Sequence, residues 1–306
     1  MKRWILRKGL VVLALLGLTL PASALRIAYF PPTQRALHSE VVVIGKVIGI
    51  EKQPVDLAPH AGAPEKVSHQ IALVKVQENL LGAENLTHLK IAFIPPAPPP
   101  PPPVDDPAVP VRRPILRPRP VLQPPQLKEG DQFLFFLVKH PGGPYFMMPG
   151  MYPPLNVKDE GSKKEIEHVK QVIAAIRDPL SGLKSDKLQE RVRTAAILVM
   201  KFRSAPMFAQ QVDQVPIDAE LNRLILQALA EADWSQPMEE EPSPFQPAQA
   251  FYALGLTPQD GWNPPKLVLQ PGQTPQDFNK MMHKAYVDWW KGPGKDYRIK
   301  KFVAKN

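Results

Sequence analysis

The apolar residues of this chain change their period partway along. From Glu40 to about Tyr152 they come in short β-branched and aromatic runs, and after Lys158 they recur every three and four residues. A strand repeats every two residues and a helix every 3.6, so the chain divides into a strand-rich stretch and a helical one. Five strands are expected in the first. Val41 to Ile50 is one, with Gly45 and Gly49 suited to a strongly bent strand. Val67 to Gln77 is the second, with Ala72, Val74 and Val76 on one face, and Leu89 to Ile94 is the third. Asp131 to Val138 is apolar on both faces through Phe133, Leu134, Phe135, Phe136 and Leu137, which predicts a central strand. Tyr145 to Met148 follows the turn Pro141-Gly142-Gly143-Pro144 as the fifth. Five short strands without a helical pattern between them imply a small closed barrel.

The helical stretch opens with Lys163 to Arg177, where Ile166, Val169, Val172, Ile173 and Ile176 form one face before Asp178-Pro179 ends it. Asp186 to Arg203 follows with Ser185 as N-cap and Leu188, Val192, Ala195, Leu198, Val199 and Phe202 inward. Ala219 to Ala232 buries Leu221, Leu224, Ile225, Ala228 and Leu229, and Ala248 to Leu254 is stopped by Gly255. The last helix starts on Thr274, Pro275 and Asp277, turns Phe278, Met281, Met282, Ala285 and Trp289 inward, and stops at Gly292. Thr-Pro-Gln-Asp occurs at both Thr257 and Thr274, which reads as repeated capping chemistry rather than an internal repeat.

The amino terminus carries a different pattern. Lys2, Arg3, Arg7 and Lys8 precede the apolar run Gly9 to Leu20, which leads to Pro21 and Ala22-Ser23-Ala24. Small residues at Ala22 and Ala24 fit a signal peptidase, so cleavage after Ala24 is expected. The run is short for a permanent bilayer span, a retained anchor being the alternative, and no cysteine follows it to carry a lipid. The mature protein is therefore expected outside the cytosol, secreted or in the periplasm or cell envelope, with no transmembrane segment. Removing residues 1–24 lowers the formal charge from +9 to +5. That balance suits a solvated surface and gives no pointer to nucleic acid. The absence of cysteine excludes thiol catalysis, thiolate zinc sites and disulfides.

Between the third and fourth strands, residues 95–126 hold 15 of the chain's 39 prolines. Fixed φ and missing amide hydrogens exclude helix and sheet, so extended polyproline II is expected. The second half of the segment is basic, with Arg112, Arg113, Arg117 and Arg119 among prolines. It reads as an inserted, solvent-exposed loop; the alternative is a docking arm for an aromatic groove or an anionic surface.

The order of motifs in the strand stretch resembles the netrin-like fold of the tissue inhibitors of metalloproteinases. A short helical piece, Pro32 to Ser39, leads into Ser39-Glu40-Val41-Val42-Val43-Ile44-Gly45-Lys46-Val47. A second strand ends in Val76-Gln77-Glu78-Asn79-Leu80-Leu81-Gly82, and Gly130-Asp131-Gln132-Phe133-Leu134-Phe135-Phe136-Leu137 stands for a later one. The resemblance implies an oligonucleotide/oligosaccharide-binding (OB) type five-stranded barrel. That family inhibits through an amino-terminal cysteine that chelates the protease zinc. The expected mature terminus here is Leu25-Arg26-Ile27, so the inhibitory mechanism does not carry over. In the helical stretch, Leu188 to Phe202, with Arg191, Arg193, Ala195 and Ala196, is similar to HEAT-type units, which usually act as scaffolds.

Motifs with chemical potential fail their context tests. Glu165 and His168 lie on one helix face, but no second helix repeats the pair, so no metal site is expected. Ser181-Gly182-Leu183-Lys184 matches Ser-x-x-Lys with Ser185-Asp186-Lys187 directly behind it and no Lys-Thr-Gly, which makes it a chance match. Lys291-Gly292-Pro293-Gly294-Lys295 follows a helix instead of opening one and is no phosphate loop. Asp105-Asp106 and Glu239-Glu240-Glu241 sit in proline-rich surroundings unsuited to acid–base work. Asn85-Leu86-Thr87 is a glycosylation sequon. Trp289 belongs to the inward stripe, whereas Trp290 lies about 100° round the helix, exposed or covering the tail from Tyr297 to Val303.

The expectation is an α+β multidomain protein. A signal peptide over 1–24 precedes a five-stranded OB/netrin-like β-barrel domain over 25–157, interrupted by the loop 95–126, and an all-α helical domain over 158–306. The function expected is that of an exported, non-catalytic binding or scaffold protein without cofactor or metal. Its contacts are Arg112, Arg113, Arg117, Arg119 and Trp290, and its partner an extracytoplasmic protein or an anionic envelope surface. A secreted hydrolase with an unrecognised site is the alternative. Deleting Pro98 to Pro120 is expected to leave the melting temperature nearly unchanged in a thermal scan, whereas a large drop would mean that the segment packs as structure.

Overall fold

The computed structural model describes residues 30–60, 62–96, 126–149, 152–235, 245–265 and 274–305. In chain order its elements are α1 (Pro32–His38), β1 (Val41–Ile50), β2 (Val55–Leu57), β3 (Val67–Leu81), β4 (His88–Phe93), β5 (Gln132–Lys139), β6 (Tyr145–Met147) and β7 (Leu155–Asn156). There follow α2 (Glu160–Arg177), α3 (Pro179–Leu183), α4 (Leu188–Phe202), β8 (Val212–Pro216), α5 (Ala219–Glu231), α6 (Pro247–Leu254), α7 (Pro275–Lys291) and β9 (Lys300–Ala304). The described residues thus form a mixed α/β structure with a seven-stranded sheet, seven helices and a separate β8–β9 pair. Among them no helix is long and apolar enough to cross a membrane.

All five expected strands are present, but the sheet is not a clean barrel. Pairings run β1–β3–β4–β6–β5, and β5 pairs β1 as well. The β4–β6 link is parallel and covers only Lys90 to Ala92, β2 and β7 add short strands, and register shifts interrupt β1–β3. One shift falls between Ile44 and Gly45. A Cβ at Gly45 would press into Val74 and the Lys75 carbonyl, so glycine lets the two strands approach there.

The pleat explains the composition of β1 and β5. Val41, Val43 and Val47 join Phe133, Phe135 and Leu137 in one cluster with Ala72, Val74, Leu89 and Ile91. The alternate residues Val42, Ile44, Leu134 and Phe136 face the other way, into a cluster shared with Ala36 and Leu37 of α1 and with Val169, Ile173, Ala195 and Val199 of the helices. Both faces of β5 are therefore dry, as its sequence predicts. Through this shared core Pro31–Asn306 forms one compact unit. β7 is followed directly by α2, and two further strands, β8 and β9, come later among the helices.

The helical stretch is not all-α. β8 pairs antiparallel with β9, from Val212 with Ala304 to Pro216 with Lys300. Neither segment has the apolar alternation of a half-buried strand, because the β8 side chains are exposed and only Phe302 and Val303 of β9 turn partly inward. Two further expectations change. The helix expected from Asp186 starts at Leu188 with Lys187 as N-cap, and the Ser185 hydroxyl donates instead to Glu190 Oε2 at 2.6 Å. Leu188 itself is 41% exposed, because α4 turns its first residue away from the core that Val192 and Ala195 enter. Capping elsewhere follows expectation. Thr274 and Asp277 form a capping box on α7, Thr257 and Asp260 form another on a 3-10 turn, and Gly255 ends α6 in the left-handed region.

Gly82, just past β3, has φ of +73°, and a Cβ there would collide with the Glu40 carbonyl oxygen. Gly82→Ala is expected to lower stability by about 2–3 kcal/mol, from left-handed strain plus displacement of the chain entering β1. Urea unfolding measures this, and an unchanged midpoint would refute the packing account.

Candidate functional site

A groove of about 760 Å³ lies between α2, α3 and α4. Its construction starts at Asp178, where α2 ends and whose side chain accepts a hydrogen bond from Ser181 N at 3.2 Å to open α3. α3 lies so close to α4 that a Cβ on Gly182 would strike the Thr194 side chain. Gly182, Thr194 and Ile197 are buried and make the floor. The rim is exposed and carries both signs of charge, with Asp178 and Glu190 against Lys187, and Leu188 stands among them. Arg191, next to the rim, ties α4 down: it donates to the Ser185 carbonyl at 2.9 Å and to Glu231 Oε2 of α5 at 2.8 Å. The bond from Arg191 to Glu231, with a further one from Gln227, holds the Glu231 carboxyl below its usual pKa.

Ser181 borders this groove, but Lys184 is paired with Glu220 at 2.8 Å, so its ammonium is committed to a carboxylate rather than to the serine. Glu165 and His168 lie partly exposed on α2. No group of three or more histidine or acidic side chains able to hold a metal occurs among the described residues. Trp290 is half-buried and packs against the main core. Its neighbour Trp289 donates from Nε1 to the Asp260 carbonyl at 2.8 Å, and its ring lies 5.3 Å from that of Tyr297. Burial, with Asp260 nearby, pushes the Tyr297 hydroxyl up to about 12. Arg112, Arg113, Arg117 and Arg119 lie outside the described residues, as do the cleavage residues Ala22 and Ala24 and nearly all of the loop 95–126.

Two features had no sequence signature. The first is a smaller cleft of about 320 Å³ beside α1, containing Lys201, His38 and Glu40. The Lys201 ammonium donates to the carbonyls of Leu37 at 2.6 Å and Ser39 at 3.1 Å, and so closes the carboxyl end of α1. Burial pulls the Lys201 pKa down, as it does for His38, where the nearby Lys201 charge adds to the effect. The sequence places Lys201 on a helix with nothing to mark the acceptors it meets more than 160 residues away.

The second is a pair of buried histidines, 71 residues apart in the chain: His69 on β3 pairs with Val55 of β2, and His140 contacts Ala58 just past β2. His140 contacts the Ala58 carbonyl through Nε2 at 3.2 Å and accepts from Gly142 N through Nδ1 at 2.9 Å. His69 donates from Nδ1 to the Val67 carbonyl at 2.6 Å. Its pKa is lowered mainly by burial and further by His140, against the opposing effects of the Val67 bond and of Asp56. Comparison with protein-family models and with curated proteins gives no match to this chain.

The sign of the His69 effect follows from linkage. A lowered folded-state pKa means that the unfolded chain binds the proton more tightly, so stability present above pH 6.5 is lost as the pH falls through the folded-state value. Denaturant midpoints at about pH 7.5 and 5.5 are expected to fall further for the wild type than for His69→Phe. Equal falls would remove His69 from the titration.

Proposed function

We propose that this chain is an exported, non-catalytic binding or scaffold protein and that the groove between α2, α3 and α4 is its contact surface. One observation carries the reading: this groove of about 760 Å³ has a buried floor of small and apolar groups, and the one α4 apolar residue that misses the core, Leu188, stands at its rim. The volume falls within the range of ligand sites, and the mixed charge of the rim suits a polypeptide better than a polyanion. The partner class is accordingly an extracytoplasmic protein.

In this reading the strand circuit is an OB/netrin-like five-stranded barrel that serves as a base for the helices. The bonding of β1 to both β3 and β5 supports it. The likeness of Leu188 to Phe202 to HEAT-type units fits a scaffold role for the helices. Export rests on the basic start, apolar run and small residues of the first 24 positions.

Ala174 is exposed on the α2 side of the groove, so a large side chain there fills it without entering the core. In a pull-down from envelope extract, the wild type is expected to retain a specific protein that Ala174→Trp and Leu188→Glu lose by about tenfold, a change of about 1.4 kcal/mol. Circular dichroism should show both variants folded. Retention of the same protein by the folded variants would exclude the groove as the contact.

A further inference from the structure

We propose that the cleft beside α1 is a second binding site, for a small amphiphilic monocarboxylate, with Lys201 as its anion-binding group. An ammonium carries three hydrogens. The Leu37 and Ser39 carbonyls engage two of those on Lys201, leaving one for a ligand. Lys201 is half-buried beside a concavity of about 320 Å³, and burial works against its charge, opposed in part by Glu40. An anion bound there restores the charged state that desolvation disfavours.

The surroundings select the class of anion. The charged and titratable groups facing the cleft are Lys201 and Lys301 on the positive side, Glu40 on the negative side, and His38 held toward its neutral form. One oxygen of Glu40 is already committed to the backbone N–H of Lys139 at 3.1 Å. Two cations against one carboxylate favour a single negative charge, and a dianion such as a phosphate monoester would be repelled by Glu40. The remaining wall is apolar, with Phe202, Met207 and Phe302 half-buried around it. Phe302 is held in place from outside the cleft, because the Arg203 guanidinium lies 4.2 Å over its ring and is itself bonded to the Ala253 and Lys300 carbonyls. The head of a short acyl or arylalkyl acid then meets Lys201 and Lys301 while its body lies against these side chains. The volume accommodates a chain of about eight carbons. This site is separate from the groove, and neither proposal depends on the other.

The test is a calorimetric titration of the full chain with octanoate and, as the uncharged control of equal length, octan-1-ol. Octanoate is expected to bind once per chain and octan-1-ol at least about tenfold more weakly. Because Lys201→Met also uncaps α1, two rim variants that leave that cap intact accompany it. Lys301→Gln should weaken octanoate by about threefold to tenfold, and Met207→Trp should abolish binding by filling the cleft with the melting temperature retained. Equal affinity for acid and alcohol, no octanoate binding up to about 10 mM, or undiminished binding by folded Met207→Trp would each overturn the proposal.

Discussion

The structure rests on two strands that are dry on both sides. β1 and β5 lie side by side, pairing Val43 with Phe135 and Ile44 with Leu134, and each sends alternate residues into a different core. One face fills the inside of the strand circuit, and the other is the floor on which α1, α2 and α4 sit. Backbone polar groups in such a place have no access to water, and the ladder satisfies them on both edges. A fully buried phenylalanine or leucine contributes about 2–3 kcal/mol, so the paired faces of these strands are worth more than any single polar contact elsewhere.

Polar side chains then connect elements that are distant in sequence. Lys201 ends α1, Arg203 holds α6 and β9, and Asn222 bonds the Tyr297 carbonyl and the Ile299 amide at 2.8 Å each. Each clamp satisfies backbone groups that irregular chain would otherwise leave unmet. Around α7 the packing is aromatic: Tyr286 is fully buried, stacks on Trp234 at 5.4 Å and donates its hydroxyl to the Leu226 carbonyl. Burial drives its pKa well above the usual value, so it stays a donor at any physiological pH. The groove lies between helices, whereas the Lys201 cleft is walled by the ends of α1 and α4, the chain that follows each of them and β9.

Much of the secondary structure was readable in advance, and the reason differs by element. β5 announces itself through six consecutive apolar residues, and α7 through Thr274, Pro275 and Asp277, whose capping chemistry is local. β8 and β9 were unreadable because their pairing joins residues about ninety apart and buries little. Leu188 lies outside the core although it shares the apolar face, because the 3.6 period says which residues share a face but not where a helix begins to touch its neighbours. Tyr286, the largest fully buried side chain of the described residues, joins the inward face of α7 beside Ala285 and Trp289. The groove and the Lys201 cleft had no signature, since each is made by elements whose neighbours are chosen only on packing.

The sequence by itself determined the five longer strands of the sheet, which caps open and close the last helices, and that no thiol chemistry is available. These depend on period, on side chains within a few residues of one another, and on composition. Tertiary structure alone decided that the strand circuit would share a core with the helices, that His140 would reach the Ala58 carbonyl, and that Lys201 would come to rest against α1. Such contacts are set by which apolar surfaces find each other on collapse, and that choice is a property of the whole chain rather than of any segment.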